Sequence, residues 1–325
     1  MALKLDSLDM RAKLPELPTS APIYALSAPP LEERRAAIAR LSDRLKLGTL
    51  RSVELDHGQV FASERGDITH FHASGAVWAR DATASDGAVN EFRKWAGLAD
   101  SNVDGQRNVL DPAATKRLIA QARELLEPLG LLGKEVASVS VQLDQVAQLD
   151  AKGKELAQGA GQACVKFGYE VRGVPVRGAG GKTLLFAEPG DNQPRVAGVF
   201  HAWRNVGGDT PIKLQRLEEA LSVALLTDPE LDRYGTAGHK VQITRLEYVY
   251  MALPAFMRQT QLFPMIQVEG IVSEGKLGIS FHFGRMHHVA SPKTYADAGL
   301  FAPYLLGNPD AIVPIAPKAT RANLV

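Results

Sequence analysis

Residues 53–80 read VELDHGQVFASERGDITHFHASGAVWAR. Apolar and polar side chains alternate along this stretch, and the alternation is interrupted at His57-Gly58 and again at Gly66-Asp67. Alternation places every second side chain on the same face of a strand, and a glycine-containing dipeptide between two such runs is typical of a tight hairpin. The stretch therefore predicts consecutive antiparallel strands.

Three helices are predicted around strands of this kind, because each of three apolar patterns at helical spacing follows a proline. The predicted starts are Pro30, Asp111-Pro112 and Asp209-Thr210-Pro211. The first pattern ends before Gly48 and the third before Asp228-Pro229. Several alternating segments follow each helix, whereas a doubly wound fold would alternate single strands with helices. The sequence therefore predicts an α+β fold made of repeated helix-plus-antiparallel-sheet units.

The spacing of the helices predicts a division of the chain into successive units of roughly one hundred residues. The predicted divisions are an extended N-terminal arm at 1–28, helix-plus-sheet units at 29–110, 111–208 and 209–290, and an irregular C-terminal tail at 291–325.

Composition excludes several function classes. The 325 residues are 45% hydrophobic and 22% charged, which is typical of a globular protein. Lysine and arginine number 37 against 36 acidic residues, so we expect neither nucleic acid nor membrane as a partner. One cysteine, Cys164, excludes an intramolecular disulfide and a multi-cysteine zinc site. The N-terminal residues mix charges with prolines, and this pattern favours a cytoplasmic location.

A resemblance to a known class of domain covers residues 112–285. It is carried by YEVRGVPVRGAGGKTLLF and RVAGVFHAWRNV, with LEYVY and LFPMIQVEG further on. These segments resemble the helix-plus-curled-sheet units of PepSY-like and cystatin-like domains. The residues that carry the likeness are Gly173, Pro175, Val176, Gly178, Gly198, Trp203 and Arg204.

The resemblance implies a function as well as a fold. PepSY-like and cystatin-like domains often accompany peptidases as propeptides or inhibitors, so the likeness implies binding of an extended peptide rather than catalysis. In its size and its lack of a catalytic motif, the chain also resembles the cytoplasmic peptide-binding accessory proteins of ribosomal-peptide natural-product (RiPP) pathways, such as crocagin biosynthesis. We expect a homodimer, because the free edges of several small sheets need to be covered.

An aromatic and cationic surface is the predicted peptide site. His201 and Trp203 fall on one face of the strand GVFHAWRNV, with Arg204 beside them. Arginine and aromatic side chains suit a peptide carboxylate or side chain. The structural alternative for Trp203 is burial as a core anchor, and the same alternative applies to the tyrosines. The predicted peptide-binding residues are Arg177, His201, Trp203, Arg204, Tyr248 and Tyr250.

Histidines supply the alternative hypothesis, a metal-dependent enzyme such as an oxygenase. His70 and His72 lie two apart in an alternating segment and share a strand face, as two metal ligands would. A third ligand is expected from the segment HFGRMHHVA, which contains His282, His287 and His288. The competing interpretation is that all five are ordinary strand-face and turn histidines.

Motifs for other chemistries do not fit the residues. GVPVRGAGGKT lacks a glycine at Val176, where a phosphate-binding loop needs one, and LLFAEPG after it is strand-like rather than helical. The sequence contains no Gly-x-Ser-x-Gly motif of a serine hydrolase. The leading hypothesis is therefore a non-catalytic peptide-binding protein without a cofactor.

Overall fold

The computed structural model describes residues 8–83, 112–188, 194–226, 228–274 and 279–298. In these ranges the strands join through hydrogen-bonded pairs into one mixed sheet, accompanied by helices. The α+β class predicted from the sequence is confirmed. The sheet is not purely antiparallel, since β1 (Asp9–Met10) and β9 (Val174–Arg177) both run parallel to β13 (Lys240–Met251).

The first half of the sheet carries two helices on one face. Its strands are β3 (Arg51–Leu55), β4 (Gly58–Ala62), β5 (Gly66–Phe71), β6 (Ala76–Asp81), β7 (Val136–Leu149), β8 (Glu155–Val171), β10 (Lys182–Glu188) and β11 (Arg195–Ala202). Helix α1 (Leu31–Arg44) contacts β5 and β6, and α2 (Pro112–Leu126) contacts β7 and β8. Both helices begin where the proline signals predict, although Asp111 itself lies outside the described residues.

The second half of the sheet contains strands from both ends of the chain. Its elements are β1, β2 (Ser20–Ser27), β12 (Asn205–Lys213), β13, β14 (Gln261–Glu274), β15 (Ile279–His288), α3 (Leu217–Leu226), α4 (Pro229–Thr236) and α5 (Pro292–Asp297). Strand β2 lies between β12 and β14 and buries Ile23 and Tyr24. The N-terminal segment is thus part of the sheet.

A four-residue strand, β9, joins the two halves. Its residues pair with β8 of the first half on one edge and with β13 of the second half on the other. The register places Val176 opposite Tyr250 and Arg177 opposite Met251. A small apolar cluster that includes Tyr169, Val176 and Tyr250 is buried at this junction.

The two faces of the first half differ in cover. Side chains directly opposite each other on paired strands point to the same face. Ile68, Val77 and Val199 therefore share the face that α1 and α2 cover, and they are buried against Leu41 and Leu118 of those helices. We call this side the helix face and the opposite side the outer face.

The third predicted helix start is wrong. Asp209, Thr210 and Pro211 lie in strand β12, and the helix begins at Leu217. β12 is an outer strand that pairs with β2 alone among the described strands. Proline is tolerated at such an edge because no second neighbour needs its missing N–H. The proline signal at this position marks an edge strand rather than a helix.

The predicted repeated units are not evident in the strand order, because strands from different predicted units pair with each other. β11 pairs with β6, and β2 lies between β12 and β14. The domain boundaries stay a prediction, and much of the predicted C-terminal tail, 299–325, lies outside the described residues. Among the described helices, none has the length and apolarity needed to cross a bilayer.

Gly58 gives a test of the register between β4 and β5. A Cβ at this position would lie 2.1 Å from the carbonyl oxygen of His70, whereas a Cβ at Gly208 would meet nothing within 4 Å. We expect Gly58→Ala to lower the free energy of urea unfolding by about 1–3 kcal/mol, and Gly208→Ala to change it by less than about 0.5 kcal/mol. Equal stabilities for the two variants would contradict this register.

Candidate functional site

The predicted peptide-binding residues do not form one open surface. Arg177, on β9, makes a two-pronged ion pair with Glu247 of β13, with N···O distances of 2.7 and 2.9 Å. The Arg177 and Arg245 guanidinium groups lower the pKa of the Glu247 carboxyl despite its partial burial, which acts in the other direction. The charge of Arg177 is therefore used to hold β9 against β13.

Arg204 is buried and binds the backbone of the segment that connects β13 to β14. Its guanidinium donates to the carbonyl oxygens of Leu253, Pro254 and Met257, at 3.3, 3.3 and 2.7 Å. Gln259 closes the same segment by accepting from the Leu253 amide at 2.8 Å. These contacts give Arg204 a structural role in this connection.

Tyr250 is also engaged inside the protein. Its hydroxyl donates to the carbonyl of Pro22 on β2 at 2.8 Å, and its ring packs edge-on against Tyr24. Burial raises the pKa of Tyr250, and it raises the pKa of the half-buried Tyr248 to about 12. Both phenols are therefore neutral at physiological pH.

His201 belongs to a polar network on the helix face, and Trp203 packs against the end of that network. His201 is only 2% exposed. Its Nδ1 lies 2.8 Å from the hydroxyl of Thr183, which in turn lies 2.6 Å from the hydroxyl of Tyr169. The ring of Tyr169 stacks on Trp203 with centroids 4.5 Å apart. The position of Trp203 therefore agrees with the alternative prediction that it is a packing residue.

Arg34 of α1 reaches into this network and fixes its protons. Its Nη2 lies 3.1 Å from Nε2 of His201. A guanidinium only donates, so Nε2 accepts and the proton of the neutral imidazole sits on Nδ1, where it is donated to Thr183. Burial, with the Arg34 charge as the second cause, lowers the pKa of His201 to about 3. The network therefore holds a neutral imidazole against a cation.

Two of the five candidate metal ligands lie close to this network. His70 and His72 have ring centroids 5.9 Å apart, and His72 pairs with Glu54 of β3. His70 is buried, and neither ring nitrogen has a hydrogen bond of good geometry within the described ranges. Burial lowers its pKa, and the charge of Arg34 acts in the same direction. His70 is thus neutral at physiological pH.

The other three candidate ligands lie on β15, which pairs with β14 in the second half. Burial lowers the pKa of His288 to about 4, and it also lowers the pKa of His287. The His288 ring packs edge-on against Tyr295 of α5. In the part of the chain that the structure describes, no three histidine, cysteine or carboxylate side chains are grouped as metal ligands. The five histidines are not brought together as one site.

The structure brings together a row of side chains on the outer face that no pattern in the sequence predicts. The row crosses six strands by direct cross-strand pairing. Its members are Val53, Val60, Thr69, Trp78, Phe200 and Leu184. Trp78 is 45% exposed and packs edge-on against Phe200, with ring centroids 5.5 Å apart. We call this row the outer strip.

The outer strip ends at a strand edge. β3 pairs only with β4 among the described strands, and all five of its side chains are exposed. Val53, at the centre of β3, is 53% exposed. An outer strand leaves half of its backbone N–H and C=O groups unpaired, so β3 offers both main-chain hydrogen bonds and apolar side chains to a partner.

The neutral His201 makes stability depend on pH. Its pKa of about 3 in the folded state lies below the unfolded value of about 6.5, so the unfolded chain takes up the proton first as the pH falls. The contribution of this residue to the free energy of unfolding is fully present above about pH 6.5, and it declines by about 1.4 kcal/mol per pH unit below that pH. We expect His201→Gln, which keeps an acceptor for Arg34, to flatten the decline measured by urea unfolding between about pH 7 and about pH 5.

His70, His287 and His288 contribute to the same decline in both proteins, because burial lowers their pKa values too. The quantity to compare is therefore the difference in slope between the wild type and His201→Gln. Parallel curves would show that the pKa of His201 is the same in the folded and unfolded states, which would contradict its lowering by burial.

Comparisons with known proteins give information about the fold but none about the function. No protein-family model and no curated protein matches the chain. A similar solved structure is the crystal structure of an uncharacterized protein from Eubacterium rectale ATCC 33656 at 1.45 Å resolution. It is 8% identical, with a TM-score of 0.53, and the match covers 89% of this chain and 90% of that chain. The likeness shows that the fold recurs over nearly the whole length of a distant protein.

Proposed function

We propose that this chain is a non-catalytic protein that binds an extended peptide by adding it to the free edge of β3. The observation that carries the proposal is the exposure of all five residues of β3, a strand that pairs only with β4 within the described ranges. An added strand gains main-chain hydrogen bonds from the edge and side-chain contacts from alternate residues.

Other outer strands suit a peptide less well. β12 contains Pro211 and a register shift between Val206 and Asp209, two features that protect an edge from pairing. The outer strand β7 has register shifts against β8, and α3 contacts the outer strand β15. β3 has neither proline nor an irregular register.

The chemistry of β3 sets an expected peptide pattern. On the outer face the added strand meets Val53 and Leu55, both exposed and apolar. On the helix face it meets Glu54, whose carboxylate is exposed and paired with His72. Since alternate residues of a strand face opposite sides, the preferred peptide alternates apolar and basic residues.

The resemblance to PepSY-like domains supports a cellular role for such binding. We propose that the chain guides a precursor peptide in a cytoplasmic ribosomal-peptide natural-product pathway, as a homodimer. A two-fold dimer would cover outer strands other than β3. The metal-dependent alternative is not proposed, because the five candidate histidines are divided between the two halves of the sheet.

The edge can be tested with a fluorescent strand-length peptide that alternates valine and lysine, measured by fluorescence anisotropy. We expect N-methylation of the peptide amides along one edge to weaken binding about tenfold, since two lost hydrogen bonds are worth about 1–2 kcal/mol. Val53→Lys should weaken binding about as much by removing an apolar contact. Leu149→Lys, at an exposed leucine at the end of β7, is the matched control and should have no effect.

Glu54 allows a sharper comparison. Glu54→Gln should weaken the valine–lysine peptide but not a valine–glutamine peptide, because only lysine gains from the carboxylate. Binding that resists N-methylation, or that is lost in Trp78→Ala but kept in Val53→Lys, would contradict strand addition and place the peptide across the outer strip. Analytical ultracentrifugation of the same variants reports whether Val53→Lys acts on a β3–β3 dimer contact instead.

A further inference from the structure

A pocket of about 460 Å³ lies on the helix face of the first half, away from the β3 edge. It is bounded by the C-terminal end of α1, one side of α2 and the ends of β10 and β11. Its volume falls within the range of about 300–1,000 Å³ that is usual for small-molecule sites. Leu125 of α2 and Leu185 of β10 contribute apolar lining.

Cations outnumber carboxylates around this pocket. Four basic side chains contribute to the lining, namely Arg44, Lys46, Arg65 and Arg195. The carboxylates of the lining are Asp81 and Glu124. Asp81 is already engaged, since it accepts from the hydroxyl of Thr83 at 2.7 Å and faces Arg195 at 3.5 Å.

Within the described ranges, three of the four cations have no carboxylate partner. Arg195 is held by Asp81 and by Glu188, the latter at 3.1 Å. Arg44, Lys46 and Arg65 form no ion pair with any residue in the described parts of the chain. Cations that lack a carboxylate partner in the described ranges, beside a partly apolar pocket, attract an anion and orient it by charge-assisted hydrogen bonds.

The end of α1 does not oppose an anion as strongly as a bare helix C-terminus would. The carbonyl oxygens of Leu41, Ser42 and Asp43 accept from the backbone amides of Leu45, Leu47 and Lys46, at 2.9, 3.0 and 3.1 Å. These three carbonyl oxygens are therefore satisfied within the chain, which weakens the negative end of the helix dipole beside the charged side chains.

Lys46 adds a second, independent observation. Its φ of 53° lies in the left-handed region, where glycine is favoured at the position after a helix. A lysine at such a position meets a steric cost that glycine, which has no Cβ, avoids. Residues held in a strained backbone conformation of this kind are concentrated at functional sites, where the side chain itself is needed.

We infer that this pocket binds a small amphipathic anion, with its carboxylate or phosphate at Lys46, Arg44 and Arg65 and its apolar body against Leu125 and Leu185. The site is separate from the β3 edge, so the anion proposal does not depend on whether the chain binds a peptide.

The probe is 8-anilinonaphthalene-1-sulfonate, an aromatic anion whose fluorescence rises on entering an apolar pocket. We expect one molecule per chain, displaced by phenyl phosphate or by phenylacetate but not by the neutral phenol. The stronger displacer identifies whether the anionic group is a phosphate or a carboxylate. Displacement by phenol as effectively as by both anions would overturn the charge assignment.

Lys46→Gly is the decisive variant, because it relieves backbone strain while removing the cation. We expect an unfolding midpoint that is unchanged or higher, together with about tenfold weaker probe binding. Arg65→Ala should weaken the probe by a similar factor. Arg172→Gly is the matched control, since Arg172 is another cation at a positive φ, 50°, and it pairs with Asp209 away from the pocket.

Probe affinity that is the same in Lys46→Gly, Arg65→Ala and wild type would overturn the proposal. Affinity lost in Trp78→Ala but kept in Lys46→Gly would also overturn it, because the probe would then occupy the outer strip. Affinity lost in the two pocket variants and kept in Arg172→Gly and Trp78→Ala supports it.

Discussion

The pairing of β9 on both of its edges is the constraint on which the rest of the structure depends. Four residues, Val174–Arg177, connect the first half of the sheet to the second through two short ladders. Two short ladders alone would be a weak junction, and side chains reinforce them. The ion pair between Arg177 and Glu247 clamps one side of β9. Arg204 anchors the β13–β14 connection, whose Ala255 packs on Ala76 and Ala202 of the first half.

Much of the fold could be predicted from the sequence because its local signals agree with the final packing. The alternation over residues 53–80 and the proline at Pro112 both lie in elements whose neighbours favour the same conformation. Pro211 shows the limit of local reasoning. The same Asp-x-Pro signal fits a helix start and an edge strand, and only the pairing of β12 with β2 distinguishes them. No signal near residue 211 carries that information.

The candidate site could be predicted only in part. Trp203 and Arg204 stand out in the sequence as an aromatic beside a cation, but they pack against Tyr169 and against backbone carbonyls. Trp78 and Phe200 lie more than a hundred residues apart in the chain, and they become neighbours through the register of β6 with β11. Which face a strand residue occupies depends on where α1 and α2 dock, and alternation alone does not give that.

The position of β2 has a consequence for how the chain folds during synthesis. Its partners β12 and β14 begin at residues 205 and 261, so β2 has no strand to pair with until most of the chain has left the ribosome. The elements from α1 to β11, in contrast, are continuous in sequence and can assemble first. The N-terminal segment, with the apolar Ile23 and Tyr24, therefore stays unpaired while the first half of the sheet folds. During this interval β2 is an exposed strand that a chaperone at the ribosomal exit tunnel can bind.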